Sequence, residues 1–383
     1  MTALNTRSII TAGMMAMGLL GAGASLAQDA VPPGLTDPVQ LPPFVENSKA
    51  CAPPEGREAS LTFVQDNRRD FMEGVGFGLA RAAADRGLAY ANVLADNDGA
   101  RMIEQVDALR AQAAGAIVVA PVDPRSLAPS LQALIADGSY VGAVVPPPAV
   151  TILNAPQYLT GQVLAEEAAR YIEEELDGRA KVVLLTHDSL QFLAPRFRAM
   201  RDVLSRLPGV SIVADISPSP VSEEGGYATM KTILLAQPDI DVVLGADTVV
   251  LGALRALEET GRADPRQFLG GIDGEPEAVA AIVASDGPYK ATVSLASPIF
   301  GYALGQYAAD WLKGKVVPQA MDVLPSLLTP DLIDQYRIDL ADPGAVWRDQ
   351  KRRDGYLRMY GGICAQTREN YLNFPWSSEN QPD

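Results

Sequence analysis

Short runs of consecutive apolar residues alternate along the chain with longer segments whose apolar residues recur every three or four positions. Residues 116–120, AIVVA, are a run of the first kind, and Phe71, Val75 and Leu79 belong to a helical stripe of the second. Runs that are apolar throughout are typical of parallel strands covered by helices on both faces. Two successive cycles of this alternation follow residue 60. They predict an α/β fold with two doubly wound parallel-sheet lobes.

Two long segments lack the alternation. Residues 28–58 are rich in proline, which blocks helices and central strands, so they are predicted to form an extended N-terminal extension. Residues 337–383 are polar, aromatic and interrupted by Gly and Pro. They predict an irregular C-terminal tail that packs on the outside of a lobe.

The first 27 residues have the pattern of a secretory signal peptide. Arg7 precedes an uncharged apolar stretch over 9–24, and Ser25-Leu26-Ala27 places small residues where a signal peptidase cleaves. The alternative is an uncleaved membrane anchor, but the apolar stretch is short for a span. We expect export to the periplasm, with a mature chain that begins at Gln28.

Composition narrows the class of protein further. The chain has 383 residues, enough for two lobes, and 48% of them are hydrophobic, which suffices for two cores. The formal net charge is −16. Nucleic acids and anionic membranes attract clustered Lys and Arg, so an acidic chain of this kind is not expected to bind nucleic acid.

The chain has two cysteines, Cys51 and Cys364. In an exported protein an even number of cysteines favours a disulfide, which would join the N-terminal extension to the tail. The alternative is two independent thiols. With a single histidine and two distant cysteines, no metal site is expected. No cofactor is expected either, because the glycines of residues 74–78 lie inside a predicted helix rather than at a strand-to-helix turn.

Five fragments between Ser60 and about Tyr336 follow a recognisable order and spacing. They are LADND (94–98) with QVDAL (105–109), AIVVAPVD (116–123), LGALRAL (251–257), GIDGEPE (271–277) and TPD (329–331) before Tyr336. In this order they resemble type I periplasmic solute-binding proteins of the ribose- and galactose-binding class, the substrate-binding components of ABC importers.

The resemblance implies two lobes joined by a hinge of three crossing strands, with a small polar solute trapped between them by hinge closure. It implies an N-terminal lobe formed by residues 59–156 plus 297–321. The C-terminal lobe would comprise 157–296 plus 322–336. The partners would be a sugar, polyol or related compound and, transiently, a membrane permease, with the protein acting as a monomer.

Ligand contacts are expected in the loops at the carboxyl ends of the parallel strands. The candidates from the first lobe are Gln65, Asn67 and Arg68, which follow the first strand. Gln157 stands near the entry to the second lobe, where the family has a polar pair. For the three residues after the first strand, the alternative is a solvated loop and helix N-terminus.

In the second lobe, Arg196 matches the sugar-binding arginine of the family, and Asp273 follows a strand with Gly274 beside it. Asp247 also follows a strand, but it could simply cap a helix. Tyr227 could stack on a ligand ring or belong to the core. Asp273 is the strongest candidate of the set.

Three positions depart from the family pattern. Pro146, Ala246 and Leu295 stand where polar ligand contacts are usual. The ligand is therefore left open. A periplasmic sensor that presents its closed form to a chemoreceptor or kinase would share this fold, and a hydrolytic enzyme that uses Asp247 and Asp273 as acid and base is a third, weaker alternative.

Overall fold

The computed structural model describes residues 39–144, 148–187, 190–284 and 286–380. In these residues the chain forms two sheets, one of seven strands and one of six. The predicted α/β fold with two lobes is confirmed. No helix in the described ranges is both long and apolar enough to cross a membrane.

The seven-stranded sheet forms the first lobe, with strand order β13-β11-β5-β4-β3-β1-β2. All its pairings are parallel except the one between β11 and β13. Its strands are β1 (Ser60–Gln65), β2 (Ala89–Leu94), β3 (Ala116–Val119), β4 (Tyr140–Ala143), β5 (Thr151–Asn154), β11 (Ala320–Val323) and β13 (Leu357–Tyr360). The helices of this part of the chain are α1 (Asp70–Arg86), α2 (Gly99–Ala111), α3 (Pro124–Ala136) and α9 (Ser297–Leu312).

The six-stranded sheet forms the second lobe, with strand order β12-β10-β9-β8-β6-β7. Its strands are β6 (Ala180–Leu185), β7 (Val210–Ile216), β8 (Val242–Gly245), β9 (Phe268–Asp273), β10 (Tyr289–Ser294) and β12 (Ser326–Leu328). The helices of this lobe are α4 (Gln157–Glu175), α5 (Ala194–Leu204), α6 (Glu223–Ala236), α7 (Asp247–Glu259) and α8 (Pro276–Val283).

The chain crosses between the sheets after β5, after β10 and after β11, which gives the expected three-strand hinge. It crosses a fourth time after β12, because β13 returns to the first sheet. Asp322 on β11 is almost fully buried at the hinge and accepts a 2.8 Å hydrogen bond from Asn154 Nδ2 on β5. The bond ties two of the crossing strands together.

Glycines bring α1 and α9 into close contact on the first lobe. A Cβ atom on Gly78 would lie 2.1 Å from the carbonyl oxygen of Pro298, and one on Gly74 would lie 2.2 Å from Ser297 Oγ. Only hydrogen fits at Gly78, where the close atoms belong to the backbone, whereas a Cβ on Gly74 would require the Ser297 side chain to move. Gly74 and Gly78 therefore serve the packing of α1 on α9.

The C-terminal segment is more regular than the sequence predicted. Three short helices precede β13: α10 (Ile333–Ala341), α11 (Pro343–Arg348) and α12 (Gln350–Tyr356). The side chain of Asp342 caps α11 and that of Asp349 caps α12. β13 has no apolar run of its own and is a strand because β11 pairs with it. Between Tyr360 and residue 380, where the described part of the chain ends, the helical elements are two 3₁₀ turns, Ala365–Asn370 and Ser378–Asn380.

The N-terminal extension runs along this C-terminal segment. Phe44 N donates to Met359 O at 2.9 Å, and Gly361 N donates to Pro42 O at 2.7 Å. Cys51 and Cys364 form a disulfide, with Cα atoms 5.9 Å apart and a sequence separation of 313. The predicted disulfide is confirmed.

Candidate functional site

Three of the predicted site residues form a continuous polar network on the second lobe. Arg196 Nε on α5 donates a 3.0 Å hydrogen bond to Gln157 Oε1, at the start of α4. Arg196 Nη1 lies 3.7 Å from Asp273 Oδ1, at the end of β9. Helix packing holds the arginine in place, because a Cβ on Gly161 would lie 1.8 Å from its carbonyl oxygen. The second lobe thus presents an amide, a guanidinium and a carboxylate in one row.

Asp273 occupies a strained backbone conformation at the end of this row. Its φ angle is 122°, in the region that residues with a side chain rarely adopt. Gly274 follows with φ 70°, and a Cβ there would come within 2.6 Å of Ser294. Strain of this kind persists only where the surrounding structure imposes it, and it concentrates at ligand sites.

The Asp273 carboxyl lies deep among protein atoms yet faces water. Its side chain is 42% exposed. Burial raises its pKa, while Arg196, Arg69 and His187 lower it in that order. Arg69 belongs to the loop after β1 on the first lobe, and the other two cations belong to the second. Asp273 therefore has a solvent-exposed side chain on which cations of both lobes act.

Arg196 is almost fully enclosed, with 7% of its side chain exposed. Burial lowers its pKa, and the Asp273 carboxylate raises it. A buried guanidinium is stable only with partners for its donors. Gln157 and Asp273 are the partners that the geometry provides.

Asp247 does not contact the cleft directly. Its side chain is fully buried, and its oxygens accept hydrogen bonds from Tyr289 Oη at 2.7 Å, Thr292 Oγ1 at 2.8 Å and Glu275 N at 2.8 Å. Burial raises its pKa to about 7. The first residue of α7 thus braces the turn that follows Asp273. Asp247 was predicted to contact the ligand. The structure instead gives it a positioning role, because its carboxyl oxygens already accept the hydrogen bonds from Tyr289, Thr292 and Glu275.

On the first lobe, Gln65 is likewise buried. Its Nε2 donates to Asn67 O at 2.6 Å and to Glu73 Oε1 at 3.0 Å, and its Oε1 accepts from Asn92 Nδ2 at 2.8 Å. The amide is fully used in shaping the loop after β1, so the predicted contact by Gln65 becomes structural support.

The other residues of this loop reach the solvent. Asn67 is half-buried and donates to Asn97 Oδ1 at 3.0 Å, and Arg68 is exposed. Arg69, which the sequence analysis overlooked, has 55% of its side chain exposed and pairs with Asp66 at 3.0 Å. Its position after a strand's carboxyl end was a signal equal to that of Arg68.

Tyr227 lies outside this set. On α6 its ring packs under the Arg255 guanidinium, 4.3 Å from the ring centroid, and its hydroxyl bonds to Glu259 and Lys231. All these partners belong to the α6–α7 surface. The expectation of ring stacking by Tyr227 is not supported, because the ring already has a cation on its face.

Of the three departures from the family pattern, two can be placed. Leu295 is 9% exposed and Ala246 is half-buried before α7. Pro146 lies outside the described residues. Leu295 belongs to the hydrophobic core and Ala246 packs against it, so both positions are part of the apolar interior where a polar contact is usual in the resembled family.

A family model described as a periplasmic binding protein domain matches residues 62–316. The chain belongs to the periplasmic binding protein family. The match covers both sheets as far as α9 and contains all eight predicted contact residues, from Gln65 to Asp273. The resemblance to type I binding proteins is confirmed.

Curated relatives and solved structures agree with this assignment. A xylitol-binding protein of Mycolicibacterium smegmatis is 29% identical over 294 residues, 71% of this chain and 79% of that protein. A ribose import binding protein of Salmonella typhimurium is 34% identical over 101 residues, 26% of this chain and 33% of its own length.

Among solved structures, a periplasmic ribose ABC transporter protein from Conexibacter woesei superposes with a TM-score of 0.64 at 21% identity. The match covers 76% of this chain and 98% of that one. A Caulobacter myo-inositol binding protein gives 0.58 at 23% identity, covering 74% and 97%. At these identities the structures establish the fold.

Proposed function

We propose that this chain is the substrate-binding component of an ABC importer and captures a sugar, polyol or related compound between its lobes. The observation that carries the proposal is the row Gln157–Arg196–Asp273, in which a strained, water-facing carboxylate pairs with a buried guanidinium at 3.7 Å. Carboxylates accept hydrogen bonds from hydroxyl groups, and a guanidinium donates to hydroxyl oxygens. The row suits a ligand with several adjacent hydroxyls.

Capture requires that the closed form bind the solute better than the open form. Asp273 and Arg196 would supply contacts from the second lobe, and Asn67, Arg68 or Arg69 from the first. A solute touching both sets would favour closure about the three-strand hinge. The relatives named for binding xylitol, ribose and myo-inositol support a small polyhydroxyl ligand.

The remaining features of the proposal concern where and with what the protein works. Residues 1–27, which lie outside the described residues, would direct export, and the mature protein would act in the periplasm as a monomer. The closed form would dock transiently on a membrane permease. The relatives are named as binding proteins, which supports a receptor rather than an enzyme.

A thermal-shift screen of the mature chain tests the proposal. The panel contains xylitol, D-ribose, myo-inositol, D-galactose and D-glucose, with small amino acids as negative controls. A ligand at 100 times its Kd adds about 2.7 kcal/mol of stability, so at least one polyhydroxyl solute should raise the melting temperature clearly. If no such solute does so, or if a panel member is chemically converted, the proposed function is rejected.

A further inference from the structure

A cavity of about 530 Å³ opens beside the polar network. It lies between the first turns of α4 and α5 and the C-terminal residues 375–380. Gln157 lines it, and the same side chain accepts the hydrogen bond from Arg196. The cavity therefore adjoins the row that ends at Asp273. Its volume falls within the range of about 300–1,000 Å³ usual for small-molecule sites.

One wall of the cavity is aromatic and open to water. Phe192, just before α5, lines it with 61% of the residue exposed, and Tyr158 of α4 stands beside it. Covering a large exposed apolar ring with a ligand lowers the free energy, because apolar surface is removed from water. The apolar faces of sugars and other rings are suited to stack on such side chains.

The same wall carries a cation. Arg198 is exposed, lines the cavity, and its guanidinium lies 5.7 Å from the centroid of the Tyr158 ring. Across the described ranges, no carboxylate lies within ion-pair distance of it. Glu379, which also lines the cavity, uses its carboxylate to accept from Gln157 N at 3.1 Å and Leu159 N at 2.9 Å. The guanidinium is thus available to an anionic ligand group.

The far wall is built by the C-terminal residues 375–380, here called the strap. Trp376 Nε1 donates to Val39 O at 2.9 Å, and its ring packs on Tyr360 with centroids 5.0 Å apart. Glu379 caps α4, whose own N-cap residue, Pro156, has no capping side chain. The strap is fixed at both ends. It lies beyond residue 316, where the match to the family model stops.

We propose that this cavity is a second subsite, which binds the far unit of a two-unit solute. The near unit is the sugar or polyol held at Asp273, so the inference rests on the proposed function. The far unit is a ring or short chain that carries a carboxylate: its apolar face stacks on Phe192 and its carboxylate pairs with Arg198. The solute class is therefore an acidic disaccharide, such as an aldobionic or aldobiouronic acid.

Calorimetry with matched probes tests the subsite. The sets are D-glucose, cellobiose and cellobionic acid; D-galactose, lactose and lactobionic acid; and D-xylose with glucuronosyl-xylose. In at least one set the two-unit acid should bind about tenfold or more tighter than its single-unit parent. Where that set contains a neutral disaccharide, cellobiose or lactose, its affinity should fall between the two. The gain from the carboxylate should shrink at high salt.

Two variants with matched controls locate the effect. Phe192→Ala and Arg198→Gln should each remove most of the tenfold gain. Phe77→Ala, an exposed phenylalanine on α1, and Arg179→Gln, at the amino end of β6, should leave it intact. Because Phe192 and Arg198 are both exposed, these changes should leave folding unaffected.

The outcomes separate this inference from the function on which it rests. If single sugars or polyols bind but no two-unit acid binds more tightly, the subsite is rejected and the receptor stands. If the gain survives in both Phe192→Ala and Arg198→Gln, the cavity is not its source. If no member of any set, nor of the polyhydroxyl panel, binds, both proposals fail.

Discussion

Asp247 is the buried residue whose hydrogen bonds hold the turn that follows Asp273. Its carboxyl has a pKa raised to about 7 by burial, whereas in an unfolded chain it would titrate near its ordinary value of about 3.9. Between these pH values the folded state holds a proton that the unfolded state has lost. The contribution of Asp247 to stability is therefore greatest below pH 4 and falls as the pH rises through 7.

Asp247→Asn should flatten this dependence. From pH 5 to pH 8 the wild-type free energy of unfolding should fall by an amount of the order of 2–4 kcal/mol more than that of the variant. Urea unfolding at a series of pH values measures the two slopes. Asp239→Asn, a change at an exposed carboxylate, serves as control and should keep the wild-type slope. Equal slopes for wild type and Asp247→Asn would contradict the assignment of the buried proton.

Among individual residues, those that lie at strand ends could be predicted from the sequence. Arg196 and Asp273 meet because Arg196 follows β6 and Asp273 ends β9, and the carboxyl ends of these strands share one edge of the second sheet. Family resemblance added Arg196. Gln157 joins them from the start of α4, where the chain enters the second lobe. Sequence cannot tell whether a polar side chain at such an edge faces the cleft or braces it. Gln65 and Asp247 are at the right edge, but their partners Asn92 and Tyr289 come from other strands.

Among the elements, the contact between α1 and α9 depends on single glycines. A Cβ atom on Gly78 would lie 2.1 Å from Pro298 O. A Cβ atom on Gly76 would have its nearest neighbour 3.5 Å away, which is an ordinary contact. The same helix thus provides a test and its own control.

Gly78→Ala should destabilise the protein by about 1–3 kcal/mol, because α9 must move away from α1. Gly76→Ala should be neutral or stabilise by up to about 1 kcal/mol, since alanine favours the helix. Chemical denaturation of both variants measures the difference. If the two changes had the same effect, close packing would not explain these glycines.

Strands with their own apolar runs, such as β3, were predictable because each is buried on both faces. β13, with the sequence LRMY, was not, because its pairing partner β11 lies far back in the chain. α11 could have been found, since Asp342-Pro343 is a usual helix start. The irregular-tail prediction overlooked this signal.

For the whole molecule, the disulfide joins the two segments outside the alternating core. Cys51 and Cys364 enclose almost the entire described chain, and the N-terminal extension follows the C-terminal segment on both sides of the bond. A crosslink over so long a loop mainly restricts the unfolded chain.

The double variant Cys51→Ser, Cys364→Ser should lose about 2–5 kcal/mol of stability. It should keep its solute affinity, because neither cysteine belongs to the polar network of Gln157, Arg196 and Asp273. Denaturation and calorimetry on the same preparation measure both. Unchanged stability would show that the bond does not constrain the unfolded chain. Lost affinity with a folded protein would mean that the tail reaches the near-unit site.

The central claim is that a polyhydroxyl solute binds at Asp273 between the lobes. Isothermal titration calorimetry tests this claim by comparing the wild type with Asp273→Asn, using the solute that most stabilises the wild type. Asparagine is chosen because it also tolerates positive φ. The wild type should bind at one site per chain, and Asp273→Asn should weaken the affinity about tenfold or more, whereas Asp239→Asn should leave it unchanged. Wild-type affinity in Asp273→Asn would contradict the claim.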